Sequence, residues 1–526
     1  MKELKLSELT LEEKIGQTMI AFASNDEKQI ECCVELIKKH ALGGVYIPAR
    51  SPHRDEYIAR IKEAADYPVL VMCDAEDGID DCLIGSQNAL GMTANEDLAY
   101  IFGKVLAVKA RKLGYNVIGS PVVDMVETNC TCAMTTRSLG GNKYKVAALA
   151  ENIVRGLHDG GIISVAKHYP GTAESGRWND EHMAESVSPE TEEELLDYNL
   201  YPYLHLMKKG LLDAIMTKHA QFTNIDPDYP ASLSKKCIDI IRSQGFDGLV
   251  MTDALCMMGV VAKFGKKGAL GRALAAGNDI TLPFHPDNGF SYDSTLACYN
   301  EGVFDEKRLD EAVRRVLDAQ HKAFREPKVK DLTDEDLLQF KRITRECVYA
   351  RLDEGLSASL DRNGRYFFAV LTESSIDVEA RDQVDVDQLG KHWYNPFAIA
   401  DQIKELFPNS AVYTMNQFPA NRENARLLDG SVGFDSVVFI TFFVGASYIG
   451  TECLTSRIIS VIKAMQLTKR ISTILHFGNP FVLEDLPHIP RVIIGSNSKD
   501  SIKASIDVLA GLEEPKGSLT YEVNLK

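Results

Sequence analysis

Between residues 42 and 283 the chain repeats one unit: a short apolar run rich in β-branched residues, a polar residue at its end, then a longer amphipathic stretch. The runs are LGGVYI (42–47), PVLVMCD (68–74), NVIGSPVVD (116–124), IISVAKH (162–168), AIMTKH (214–219), LVMTD (249–253) and DITLP (279–283). Strands apolar at nearly every position are those of a parallel sheet buried on both faces. Seven in succession, with helical stretches between them, predict a (β/α)8 TIM-like barrel. The polar residues collect at the C-terminal tips: Asp74, Asp124, Lys167 and His168, Lys218 and His219, and Asp253. One such residue is an ordinary strand cap, but a set at successive strands marks the rim on which a barrel builds its active site.

At 526 residues the chain exceeds one barrel. After the charged, proline-containing stretch FREPKVKDLTDEDLL (324–338), new apolar runs recur between helical patterns: YFFAVLT (366–372), SAVYTM (410–415), SVVFITFF (436–443), ISTILHFGNP (471–480) and RVIIGS (491–496). They predict a second, open and mostly parallel α/β sandwich domain without a glycine-rich phosphate fingerprint. The expected division is a barrel over 1–325, a linker and helix over 326–358, and the α/β domain over 359–526.

A net charge of −17 argues against nucleic acid or an anionic membrane as partner and favours a small neutral or cationic ligand. The eleven cysteines, including Cys32-Cys33 and Cys130-x-Cys132, form neither a disulfide framework nor a zinc pattern. The N-terminus MKELKLSELTLEEKIGQ lacks the apolar segment of a signal peptide. The expectation is a cytoplasmic protein, monomer or homodimer, with no metal and no cofactor.

Three constellations carry chemistry. Asp253 ends an apolar strand, where a carboxylate can serve as nucleophile or stabilise a cationic transition state, although Asp is also a favoured helix N-cap. In KHYPGTAESGRWNDEH (167–182), Lys167 and His168 can fix a hydroxyl-rich ligand. Asp180 lies one residue from His182 and can orient its imidazole for general acid/base work. Arg137 in TTRSLGGN and Asp74 in CDAEDG can grip sugar hydroxyls through charge-assisted hydrogen bonds. A metal bound by His168, Asp180, His182 and His219 is disfavoured, because no two histidines have a compact ligand spacing.

In order, LTLEEKIGQ, DAEDG, SPVVD, TRSLG, KHYPG, MTKH, PASLS, TDALCMMG and AGND resemble glycoside hydrolase family 3, in particular its β-N-acetylglucosaminidase (NagZ-like) branch. The resemblance implies a barrel followed by an α/β domain, and removal of terminal β-linked N-acetylglucosamine by double displacement with retention. Asp253 would be the nucleophile and His182, oriented by Asp180 on a mobile loop, the acid/base. Asp74, Arg137, Lys167 and His168 would hold the sugar, and His219 would line its site. Alternatives are a β-glucosidase or β-xylosidase of the same family, a β-N-acetylglucosaminide phosphorylase, and a non-catalytic carbohydrate-binding descendant.

Two departures fall near this chemistry. TAESGRWN lengthens the path to His182 by about two residues relative to the family loop. Asp77 replaces a common glycine, and Ile79-Asp80 stand where an arginine is often seen.

Overall fold

A computed structural model of the protein describes residues 2–126, 134–171, 180–372, 395–443 and 454–526. The expected hinge TAESGRWN (172–179) and the Cys130/Cys132 pair lie outside the described residues. Eight parallel strands form the first sheet: β1 (Ile20–Phe22), β2 (Gly44–Tyr46), β3 (Leu70–Cys73), β4 (Val117–Ile118), β5 (Ile163–Tyr169), β6 (Ala214–Thr217), β7 (Leu249–Ala254) and β8 (Ile280–Leu282), neighbours in that order. Seven coincide with the expected runs, and β1 is the eighth. The sheet closes on itself where Met19 bridges Thr281 in parallel and Thr281 N–H donates to the Thr18 carbonyl at 2.9 Å.

Period-two alternation divides each strand between two apolar environments. Leu70 and Met72, Ile163 and Val165, Ala214 and Met216, and Leu249 and Met251 fill the barrel interior with Ile20, Val117, Ile280 and Leu282. Val71, Cys73, Ala166, Ile215 and Val250 pack outward against the helices. Both faces are therefore dry, which is why the runs read as continuously apolar.

At the opposite end from the rim, Asp279 is fully buried at the entry to β8. Its carboxylate takes Arg242 and Arg308 at 2.6 Å each, Arg315 at 3.2 Å and the Val250 N–H at 3.0 Å.

The second sheet holds β9 (Tyr349–Leu352), β10 (Tyr366–Thr372), β11 (Ala411–Asn416), β12 (Ser436–Phe443), β13 (Ile471–Gly478) and β14 (Arg491–Gly495) in the order β9-β14-β13-β12-β10-β11. Only the β9–β14 pairing is antiparallel. The stretch expected as linker and helix holds the helix Asp334–Glu346 and adds an edge strand of this sheet. That helix is tied to the barrel by the Phe102–Phe340 ring stack and a 2.8 Å Lys104–Asp336 ion pair. The C-terminal tail also returns to the barrel, where the Thr520 carbonyl accepts from Gly141 N–H at 3.0 Å. Among the described residues no helix is long and apolar enough to cross a membrane.

Removing Asp279 leaves three guanidinium groups without their shared anion. Breaking a buried charge cluster from one side costs about 3–5 kcal/mol, so Asp279→Ala is expected to lower the urea midpoint by a corresponding amount. A change below about 1 kcal/mol would contradict this account.

Candidate active site

The inward alternation of the strands runs on past the last apolar layer. It places Asp74 two residues after Met72, Lys167 two after Val165, Lys218 two after Met216 and Asp253 two after Met251. At the same level Gly119 follows β4. A Cβ there would stand 2.3 Å from Asp74 Oδ1 and 3.0 Å from Lys167 Nζ, so glycine leaves these two side chains their room.

Lys167 is 1% exposed. A cation so placed needs anions, and Nζ lies 2.5 Å from Asp74 Oδ1 and 2.6 Å from Glu76 Oε1. Glu76 in turn receives a two-pronged contact from Arg137, 2.6 Å from Nη2 and 2.8 Å from Nε. Burial pushes the Glu76 carboxyl up, but Arg137 and Lys167 together hold it far below the usual carboxylate range. Tyr46 O–H donates to the other Asp74 oxygen at 3.0 Å. The result is an alternating chain, Asp74–Lys167–Glu76–Arg137, at the barrel mouth.

Asp124, at the end of the expected run 116–124, fixes His168. Its Oδ2 accepts the backbone N–H of His168 at 2.9 Å and ring Nδ1 at 2.6 Å. With the proton on Nδ1, Nε2 accepts from Arg137 Nη2 at 3.3 Å and stands 3.8 Å from Asp253 Oδ2. Asp253 Oδ1 accepts the N–H of Ala254 at 2.7 Å. Burial raises the Asp253 carboxyl, yet His168, His219, the Ala254 N–H and Lys167 offset this and hold it below its ordinary value. The side chain therefore stays an anion while 18% exposed to the mouth, the condition for a carboxylate nucleophile.

Asp180 and His182 meet through a local turn. Asp180 Oδ1 accepts both the backbone N–H of His182 at 3.0 Å and its Nδ1–H at 2.6 Å. The same segment docks on the helix that follows β7. The His182 and Glu181 carbonyls accept Met258 N–H at 3.2 Å and Gly259 N–H at 3.1 Å, at the start of helix Met258–Phe264. Those N–H groups have no partner within their own helix, and no side chain caps it. A Cβ on Gly259 would lie 2.9 Å from the Glu181 and Ala184 carbonyls, so the glycine of TDALCMMG permits the approach.

His219 is buried with both ring nitrogens engaged. Nδ1 meets Ser232 Oγ at 2.7 Å, and Nε2 meets the Ala254 carbonyl at 3.0 Å. Burial lowers its pKa. It braces the turn after Asp253 rather than presenting a ring nitrogen to the mouth. Asp74, Arg137, Lys167, His168 and Asp253 thus form one continuous contact network, to which the Asp180–His182 pair is joined through the helix after β7.

Three residues of this network escaped sequence reasoning as site members. Glu76 shares the inward phase of Asp74 two positions on, a signal that DAEDG did carry. Glu181 sits inside the D-x-H spacing. Tyr521 had no local signal: its O–H donates to the carbonyl of Thr135 and, at 3.3 Å, to that of Ser138, bracketing Arg137 from the C-terminal tail.

Residues 10–319 match the sequence profile of the glycosyl hydrolase family 3 N-terminal domain. The chain belongs to glycosyl hydrolase family 3. It is 28% identical over 334 residues to a β-N-acetylglucosaminidase/β-glucosidase of Cellulomonas fimi, covering 59% of this chain and 57% of that protein. It is 31% identical over 182 residues to a β-hexosaminidase of Shewanella frigidimarina, covering 34% of this chain and 52% of that protein. The chain thus spans little more than half the length of these two relatives. A family 3 β-N-acetylglucosaminidase from Paenibacillus superposes over 98% of this chain and all of its own, with a TM-score of 0.80 at 23% identity. That likeness shows the two-domain family 3 fold, a barrel followed by a mostly parallel sheet domain.

The Asp124 carboxyl gives a pH signature. Burial raises it, but His168 and Lys218 more than offset this and hold it at about 2, against an ordinary value near 3.8. A depressed carboxyl stabilises the fold above its unfolded pKa, and that contribution is lost as pH falls through the folded value. It is worth about 2–3 kcal/mol here. Wild type is expected to exceed Asp124→Asn by that amount at pH 6, with the gap narrowing from about pH 4 down through about pH 2. Urea midpoints across about pH 2–7 check this, and a gap independent of pH would contradict it.

Proposed function

We propose that this family 3 chain is a retaining glycoside hydrolase that removes terminal β-linked N-acetylglucosamine. The observation that supports the reading is the docking of the hydrogen-bonded Asp180–His182 pair on the helix that begins at Met258, five residues after Asp253, whose carboxyl is held below its ordinary value.

In the first step Asp253 attacks the anomeric carbon. The C–O bond to the aglycone breaks as His182 Nε2 delivers its proton to the leaving oxygen, and Asp180 stabilises the charged imidazole through Nδ1. The sugar is then covalently held on Asp253 with inverted configuration. In the second step neutral His182 takes a proton from water, the hydroxide oxygen attacks the same carbon, and Asp253 departs as carboxylate, which restores the original configuration.

Asp74 and Arg137 accept from and donate to the sugar hydroxyls, while Lys167 and His168 position them. Asp74, the most exposed of the cluster with 44% of its side chain accessible, offers the oxygens a ligand can reach. The C. fimi relative, a β-N-acetylglucosaminidase/β-glucosidase, and the S. frigidimarina relative, a β-hexosaminidase, support the N-acetylglucosamine assignment.

An imidazole acid/base, neutral between the steps, does not repel an anion as a glutamate would. Phosphate is therefore the alternative acceptor, with the glycosyl phosphate as product.

The test is product analysis on nitrophenyl β-glycosides of N-acetylglucosamine, glucose and xylose, each with and without phosphate. Free N-acetylglucosamine should be the main product, and Asp253→Ala should lower kcat by at least about 10⁴-fold, as for loss of a nucleophile acting within a catalytic unit. A wide preference for the glucoside or xyloside would overturn the sugar assignment. A phosphate-dependent sugar phosphate would replace hydrolase by phosphorylase.

A further inference from the structure

Glu181 stands between the two members of the proposed proton-transfer pair, and its side chain points away from both. Oε1 lies 3.0 Å from Lys218 Nζ, and Oε2 accepts the backbone N–H of His219 at 2.8 Å. Both partners sit just after β6, an element distinct from helix Met258–Phe264. Lys218 is itself buried, with Nζ 3.9 Å from Asp124 Oδ1. The carboxylate that orients His168 and the carboxylate beside His182 thus flank one ammonium.

We propose that Glu181 and Lys218 form a latch that holds the His182 segment docked at the barrel rim before substrate arrives, making Glu181 a positioning residue for proton transfer. The inference rests on the reading of His182 as the acid/base.

The attachment is two-sided. The backbone of residues 181–182 caps the helix after Asp253, while the Glu181 side chain grips the end of β6, so the imidazole is fixed from two elements. A segment held by backbone hydrogen bonds on one side alone can pivot about them, and a misplacement of about 1 Å is enough to cost a proton transfer roughly 100-fold.

The ionic contact is sheltered. Glu181 and Lys218 side chains are 14% and 7% exposed, and a pair so removed from water is screened far less than a surface bridge. The Glu181 carboxylate also receives a backbone N–H, so each of its oxygens has a donor.

The chemistry of residue 181 is constrained as well. A neutral side chain there would remove the 3.0 Å ionic contact to the buried Lys218 ammonium. A glutamine at 181 preserves shape and one hydrogen bond while removing the charge, which separates the ionic role from packing.

Leaving-group dependence provides the test, because protonation matters for a poor leaving group and little for an activated one. Glu181→Ala, Glu181→Gln and the exchange Glu181→Lys/Lys218→Glu are compared with His182→Ala on a 2,4-dinitrophenyl and an alkyl β-N-acetylglucosaminide, in full-length protein whose urea midpoint is recorded.

His182→Ala should lose about 100-fold or more in kcat/KM on the alkyl glycoside and little on the dinitrophenyl one. Glu181→Ala should follow the same pattern at roughly 10- to 100-fold, Glu181→Gln should fall between it and wild type, and the exchanged pair should regain part of the loss. Equal losses of Glu181→Ala on both substrates, or none on either, would overturn the latch while His182→Ala behaves as described. If His182→Ala itself shows no leaving-group dependence, the acid/base reading fails first, and the latch with it.

Discussion

A lysine ammonium that is 1% exposed at the mouth of a barrel must be matched by charge at contact distance, and Lys167 organises its surroundings by that requirement. Asp74 and Glu76 supply the counter-charge, and Glu76 then needs Arg137 because one carboxylate shared with a buried lysine is itself deeply desolvated. Arg137 reaches His168, His168 is aimed by Asp124, and the His168 imidazole faces Asp253. Each link removes a degree of freedom from the next. The carboxylate proposed to attack substrate is held as an anion, against the cost of its burial, by His168, His219, the Ala254 N–H and Lys167.

The architecture was largely legible because it follows from alternation. A strand buried on both faces reads as an unbroken apolar run, and seven of the eight barrel strands showed that signal. The eighth, Ile20–Phe22, is three residues long and comes two residues after the helix Leu11–Gln17, so its apolar residues merge with the helical pattern. Edge strand Tyr349–Leu352 was hidden for the opposite reason: it is half-buried throughout, and its sequence, YARL, forms no continuous apolar run.

Of the site, the strand-end residues were legible because two-residue periodicity carries them inward. Glu76 carried the same periodicity and was passed over, whereas Glu181 and Tyr521 take their meaning from a partner 38 or 386 positions away in the chain. The contrast is clearest at His219. Its place at a strand end resembled that of His168, but Ser232 and the Ala254 carbonyl occupy its two nitrogens, a fact that only the folded arrangement supplies. The second domain also gains a physical role from such contacts, since its C-terminal tail fastens the carbonyls on either side of Arg137.

The central claim is that Asp253 forms a covalent bond to the sugar. It is tested most directly by incubating the protein with a fluorosugar inactivator that carries a good leaving group, then measuring the intact mass and the modified peptide. The account predicts a mass increase of one fluorosugar per chain, located on the peptide containing Asp253 and absent in Asp253→Ala. Turnover of glycosides by wild type without any trapped species across inactivators matched to its preferred sugar, or a label on another carboxylate, would contradict it.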